Sequence, residues 1–430
     1  MARALGFVAR AQDDIDLEAV ESFVRCAMLA AGARALEAFL AEALRDEERP
    51  VCALRHAPRP MRLDRRRSKG LQTILGPVRL TRGRFVCPVC GAVRYPADEA
   101  LGVAGTGFSP GARRMMARAG AKESFAEAAE DLAVYADLEV DAKEVERVAE
   151  ATGRVVDAWM AREGARARLV PPDGEEIDTF YVSFDGTGVP MRPEELTQTR
   201  GKAPGGKART REVKLGCVFT QTGLDEDGRP VRDAASTSYV GAIEPSVEFG
   251  HRIHAEAMRR GMTRARRVAV LTDGAAYNKT IIDEHFPHAT RILDLYHARE
   301  HLADFIRDAA RRDLGGEEHA ACRALLDAGQ VEPLLERMRT LVPRSGPRRK
   351  EGQKEIAYFR TNACAMRYDE FRAQGLFIGS GVVEAGCRTV IAQRTKRSGM
   401  FWSVKGANAI IALRCCLASG RTEQFYEDTA

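Results

Sequence analysis

Two carboxylates in this chain stand where apolar runs stop. In Thr179 to Pro190, TFYVSFDGTGVP, the residues Phe180, Tyr181, Val182 and Phe184 are interrupted only by Ser183, and Asp185 follows directly. A strand buried on both faces reads as such a near-continuous apolar run. Burying an unpaired charge costs several kcal/mol or more, so Asp185 needs solvent, a donor or a cation. One reading is a turn, with Gly186 and Gly188 supplying positive φ. The other is a metal ligand. A second apolar segment, RRVAVLTDG, also closes in a carboxylate, Asp273, followed by Gly274. A third, ATRILDLYH, carries Asp294 and, three residues on, His297. Two carboxylates held close repel each other, and hard oxygen donors with few histidines nearby favour Mg²⁺ or Mn²⁺ over zinc as the ion that relieves this. Glu384, in GSGVVEAGCR, is the candidate third ligand. Ser380 after Gly379 predicts an N-cap, which puts Glu384 in the first turn of a helix whose apolar face includes Val383, Cys387, Val390 and Ile391. Alone, such a glutamate is a helix-dipole partner; beside Asp185 and Asp273 it completes a set able to hold two ions roughly 3.5 to 4 Å apart, the arrangement that activates a water or a 3′-hydroxyl against a phosphodiester.

The elements that must position these groups follow from periodicity. Between residues 176 and 300 the order reads βββαβαβ: three strands, then strands alternating with helices. This predicts a mixed sheet whose later strands are parallel and covered on both faces. In the ribonuclease-H order the first and fourth strands are neighbours, which sets Asp185 beside Asp273 at the carboxyl ends, where open sheets gather their sites. From 297 to 375 the chain reads as helical apart from PRSGPRRKEG, and the helix carrying Glu384 comes next. Upstream, residues 14 to 47 have apolar positions at helical spacing, a basic stretch follows, and strands are expected between about 71 and 96. Residues 111 to 168 read as three helical segments, broken near Gly120 and at Asp137 to Asp141. The expected divisions are 1–50, a helical segment; 51–105, a zinc-ribbon-like β module; 106–170, a helical region; 171–296 with 376–420, an α/β ribonuclease-H-like core of βββαβαβα order; and 297–375, an all-helical insertion. Residues 124 to 150 have a helix-turn-helix rhythm, either a DNA-reading module or packing. The acidic second helix, with Asp141, Glu144, Glu146 and Glu150, suits phosphate poorly.

Cys87-Pro-Val-Cys90 has the spacing at which two thiolates meet one tetrahedral ion. Cys52 and His56 are the nearest candidates for its other half, giving a Cys₃His zinc site; a pair of reduced, unliganded thiols is the alternative. Two other motifs fail on chemistry. GKAPGGKA at 201–208 resembles a phosphate-binding loop, but Ala208 stands where a hydroxyl is needed. GSGV at 379–382 lacks the spacing of a nucleophile elbow.

With 430 residues, 45% apolar, the chain can fill several cores. No apolar run reaches the roughly 18 residues of a membrane span, and the start is too polar for a signal peptide, so no membrane partner and a cytoplasmic, nucleoid-associated location are expected. The ten cysteines are not spaced as a disulfide framework. A net charge of +5 is modest, but basic clusters at Arg62 to Lys69, Arg200 to Lys214, Arg344 to Lys350 and Arg388 to Arg397 suit a polyanion that crosses several elements.

At SFDGTGVPM, LTDGA, ILDLYHAREHL and GSGVVEAGCR, followed by FWSVKGANAIIALR, the sequence resembles DDE transposases of the bacterial ISKra insertion-sequence family and, more distantly, Mutator-type enzymes. CPVCGAVRYPADEALG resembles that family's cysteine module. The resemblance implies Asp185, Asp273 and Glu384 as the catalytic triad holding Mg²⁺ or Mn²⁺, with Asp294 and His297 as either an accessory pair or an ordinary structural one. It further implies double-stranded DNA as partner, both element ends and target, and an oligomer, at least a dimer, since two ends must be synapsed. The alternatives are a ribonuclease-H-fold nuclease that hydrolyses without joining, and a domesticated DNA-binding protein.

Overall fold

The computed structural model describes residues 16–54, 57–196, 209–309 and 316–429. The chain divides into two compact units, 1–149 and 150–430.

The first unit opens with α1 (Leu17–Ala43), capped by the Asp16 carboxylate accepting from the Ala19 N–H. A short antiparallel pair, β1 (Val51–Cys52) and β2 (Arg59–Pro60), leads into a three-stranded antiparallel sheet of β3 (Arg62–Thr73), β4 (Gly76–Val86) and β5 (Val93–Arg94). The strands begin earlier than the expected position near 71. The stretch RLDRRRSK is the first half of β3, its side chains exposed from Arg62 to Ser68. Cross-strand pairing to β4 satisfies the backbone there, so no apolar alternation is needed to mark the strand. Part of this charge is already compensated: Arg84 bridges to Asp64, and both Lys69 and the buried Arg82 reach Asp98, at 3.2 and 2.8 Å.

Three helices follow, α2 (Pro110–Lys122), α3 (Phe125–Ala136) and α4 (Ala142–Leu169). The break expected near Gly120 falls at Glu123 and Ser124 instead, where Ser124 and Glu127 form a capping box. Gly120 sits inside α2 because a Cβ there would come within 3.0 Å of Val145 and 3.1 Å of Ala149; the glycine allows close helix contact. Asp141 and Glu144 cap α4 reciprocally, which gives two of its acidic residues a structural use.

The second unit is built on a six-stranded mixed sheet of order β11-β10-β6-β7-β8, with β9 also on β7. Its strands are β6 (Ile177–Pro190), β7 (Thr210–Leu224), β8 (Pro230–Arg232), β9 (Ser238–Ala242), β10 (Ala265–Thr272) and β11 (Thr290–Leu293). β10 runs parallel to both β6 and β11, and the pairs on β7 are antiparallel. Phe180, Val182 and Phe184 of β6 meet α5 (Ser246–Arg259) and α6 (Ala276–His285) through Phe249, Ile253, Ile281 and Ile282, all buried. Burying each such side chain contributes about 1.5–3 kcal/mol. On the opposite face Tyr181 stacks on Phe219 at 4.9 Å and meets Phe377 edge-on at 5.2 Å. Ser183, the polar interruption, is 1% exposed and donates its hydroxyl to the Leu271 carbonyl at 3.0 Å.

After β11 come α7 (Leu295–Asp304), α8 (Gly316–Asp327), α9 (Val331–Leu341), α10 (Pro347–Asn362) and α11 (Tyr368–Ala373). The segment PRSGPRRKEG, expected to be irregular, is helical from Pro347 onward, because that proline takes the first-turn position where its missing N–H costs nothing. The chain then returns through α12 (Gly381–Gly386), a π-helical stretch at Cys387–Ala392, α13 (Val404–Ala418) and α14 (Thr422–Asp428). Gly153 of α4 lies on the α13 backbone: a Cβ there would sit 2.1 Å from the Ala409 carbonyl oxygen. Gly153→Ala is therefore expected to cost about 3 kcal/mol or more, beyond the usual overpacking range because backbone rather than a side chain must yield; urea unfolding with an unchanged m value measures it. Among the described residues no helix is long and apolar enough to cross a membrane.

Candidate active site

Asp185 does not end its strand. β6 continues to Pro190 and pairs with β7 through Asp185 opposite Leu215, Gly186 opposite Lys214 and Gly188 opposite Glu212. What stops near Asp185 is the parallel ladder to β10, whose last pair is Ser183 with Leu271. Two residues beyond that pair stand Asp185, still on β6, and Asp273, just past the end of β10. The glycines after Asp185 do not have positive φ either. A Cβ on Gly186 would meet Glu212 Oε1 at 2.4 Å, and one on Gly188 would meet Thr210 Oγ1 at 2.7 Å, so they make room for side chains of β7. Gly274, by contrast, does adopt a left-handed φ of 82°, and turns the chain directly after Asp273.

Each carboxylate is held by its surroundings. Asp185 Oδ1 accepts the Gly186 N–H at 2.6 Å. Asp273 Oδ1 accepts from the Ala275 N–H at 3.0 Å and from Asn278 Nδ2 at 2.5 Å. Burial first, then the charges of Asp273 and Glu384, raise the Asp185 carboxyl above its ordinary range. The same proximity is felt by the Cys387 thiol, which hydrogen-bonds to Asp185 and is pushed up by burial and by that charge. Cys387 thus belongs to the site as well as to the apolar face of its helix.

Glu384 is exposed on α12. Ser380 does not cap α12 through its side chain, as its position suggested; its hydroxyl donates to Glu384 Oε1 at 2.9 Å. The Ser380 N–H goes to Asp294 Oδ2, while Asp294 Oδ1 takes the His297 N–H at 2.6 Å. Asp294, 1% exposed, caps α7 and at the same time anchors the segment that presents Glu384. His297 faces elsewhere, 3.4 Å from Glu300 and edge-on to His301 at 5.3 Å. Asp294→Ala is expected to cost about 2–4 kcal/mol by leaving two N–H groups without their acceptor. Chemical denaturation checks this; a loss below about 1 kcal/mol would show that the anchoring is not structural.

Several neighbours of the carboxylates were not expected at the site, and Lys214 figured in the sequence only as the end of a basic cluster. Lys214, buried, bridges to Glu212 at 2.7 Å and lies over the Tyr277 ring at 5.2 Å. Tyr358, from the helical block, donates to the Asp273 carbonyl at 3.1 Å and stacks on His301, which in turn meets Glu355 at 2.9 Å. Asn278 lies in the first turn of α6, five residues after Asp273.

Among the described residues, two groups of three place their ligand atoms within 4.8 Å of one another: Cys52, Cys87 and Cys90, and His251, Glu284 and His285. Asp185, Asp273 and Glu384 are not such a group. Their chemistry nevertheless fits a hard divalent ion, since each offers carboxylate oxygen and their mutual repulsion is what a cation would relieve.

The cysteine group lies in the first unit. Cys52 on β1 and Cys87 at the end of β4 are buried with Met61 and Phe85, and the Cys52 and Cys90 sulfurs are 3.7 Å apart. Gly91, with φ of 71°, closes the knuckle by donating its N–H to the Cys87 carbonyl at 3.0 Å. The N–H groups of Cys90 and Val89 hold the Cys87 thiol down at about 6, whereas Cys52 is raised. Three sulfurs, one of them readily a thiolate, suit zinc. His56, the expected fourth ligand, lies outside the described residues, as does the 201–208 loop.

No family model matches the chain, and no curated protein matches it. Among solved structures, the Drosophila P element transposase strand transfer complex aligns at 12% identity and a TM-score of 0.30, covering 60% of this chain and 81% of that one. At that score the likeness does not bear on function.

Proposed function

We propose that the protein is a DDE transposase of the ISKra kind, which binds the terminal repeats of an insertion sequence, cleaves DNA and joins the 3′ ends to a target. The observation that carries this reading is the placement of Asp185 and Asp273 two residues past the last pair of adjacent parallel strands, with the charge of Glu384 acting on Asp185. The strand order, in which β6 lies between β10 and β7, supports a ribonuclease-H-like core. Asp185, Asp273 and Glu384 are the residues that would hold Mg²⁺ or Mn²⁺; when bound, such ions supply activation of the attacking oxygen and stabilisation of the leaving one.

The chain's own residues set the geometry. Asn278 and the Ala275 N–H fix Asp273 through Oδ1, and the Asp294 anchor fixes the backbone from which Glu384 projects. Glu384 is exposed and restrained by one hydroxyl, so its side chain is the part that swings to close the set. The exposed cations of β3 suit the DNA backbone, whose contacts give affinity rather than sequence choice, whereas Lys214 and Arg394 of the other basic segments are buried. Cleavage and strand transfer on DNA carrying the element ends, with Mg²⁺ and with EDTA, test the proposal. Cleavage without joining would favour the hydrolytic nuclease.

A further inference from the structure

Away from the carboxylates, α5 and α6 bring together three of the eight histidines. His251 and His254 come from α5 and His285 from the last position of α6, with Glu284 beside it. The ligand atoms of His251, Glu284 and His285 lie within 4.8 Å of one another. His251 and His285 meet edge-on at 4.9 Å, and His254 stacks on His285 at 5.4 Å. The His285 side chain is only 7% exposed, yet among the described residues its Nε2 has no hydrogen-bond partner; Glu284 Oε1 lies 3.9 Å from it. Leaving a buried ring nitrogen unsatisfied costs about 1–3 kcal/mol, so the arrangement points to a partner that hydrogen bonding does not provide.

A tetrahedral zinc ion with bonds of roughly 2.0–2.1 Å sets its ligand atoms about 3.4 Å apart. The 3.9 Å between Glu284 and His285 needs only a small closing movement to match. Position 250 is glycine, and a Cβ there would strike His285 Nε2 at 2.7 Å and Cδ2 at 2.8 Å, so the lack of a side chain lets that edge of the ring sit against α5. Two imidazoles and one carboxylate suit a borderline ion such as Zn²⁺ rather than Mg²⁺. His251 and Glu284 are exposed, which gives the ion a path from solvent.

We propose that His251, Glu284 and His285 form a second transition-metal site, of the zinc class, that clamps α5 to the end of α6 and keeps one coordination position open. It is separate in sequence and in unit from the cysteine group. The probe is Zn²⁺ itself, titrated calorimetrically into the full chain, with His251→Ala, Glu284→Gln and Cys87→Ser compared. The first two change exposed side chains, so their folds are expected to persist. Relative to the unaltered chain, each should lose one equivalent of bound Zn²⁺, or bind it at least about tenfold more weakly, while Cys87→Ser keeps that equivalent. Retention of it at unchanged affinity in either His251→Ala or Glu284→Gln overturns the assignment.

Discussion

Replacing Asp185 or Asp273 by asparagine is expected to lower DNA cleavage by about 10²–10³-fold, the scale on which a charge-stabilising group is lost from a catalytic centre. DNA binding, measured at fixed salt, should change little, since neither residue contributes positive charge. The two outcomes separate catalysis from recognition. Stability gives an independent readout. The Asp185 carboxyl is raised above its ordinary range by burial first, then by Asp273 and Glu384, so the folded state holds its proton more tightly than the unfolded chain does. The stabilisation tied to that proton is present at low pH and is lost as pH rises through the raised value. At neutral pH the metal-free fold therefore carries a repulsion that Asp185→Asn removes. Asparagine can still accept the Gly186 N–H. The metal-free variant should melt at or above the temperature of the unaltered protein while being inactive, the usual trade between stability and a charged site. Full cleavage by either variant, or a collapse in melting temperature that explains the inactivity, would defeat the assignment.

The second large effect concerns the thiols. Cys87→Ser should abolish zinc binding at the Cys52, Cys87 and Cys90 group and unfold the β module around it. Structural zinc contributes roughly 10–16 kcal/mol of apparent binding free energy in small metal-dependent folds, and little apolar area is available here to replace it. The buried cluster at that end is small, with Cys52, Met61, Phe85 and Cys87 as its buried members and Ala92 packed against them. Elemental analysis should show one zinc equivalent lost, and amide exchange over residues 59–94 should rise to the level of open chain. Because the Cys87 thiol is held down at about 6 by the Cys90 and Val89 N–H groups, metal loss on acidification should set in below that value. Absence of zinc from the unaltered protein, together with unchanged exchange in the variant, would show that the thiols are simply buried.

Sequence alone determined much about this protein. Periodicity placed the long helices and the apolar strands of the second unit, though not the run of β6 beyond Asp185 to Pro190 nor the short β8, because burial on two faces leaves a run of apolar residues that local patterning exposes. Residue type marked the carboxylates and the Cys87-Pro-Val-Cys90 knuckle, since a charge after a buried run and a pair of thiols two residues apart are costly without a purpose. The tertiary structure decided what no local pattern encodes. It showed that Gly186 and Gly188 yield space to Glu212 and Thr210 across the sheet rather than turning the chain. Asp294 became an anchor for Ser380, 86 residues away, and Ser380 became a restraint on Glu384. It also gathered His251 with Glu284 and His285, more than thirty positions further along the chain. The reason is common to all three. Periodicity reports which face of an element is buried, whereas the partner of a polar atom is chosen by strand register and helix packing, which depend on residues far away in the chain.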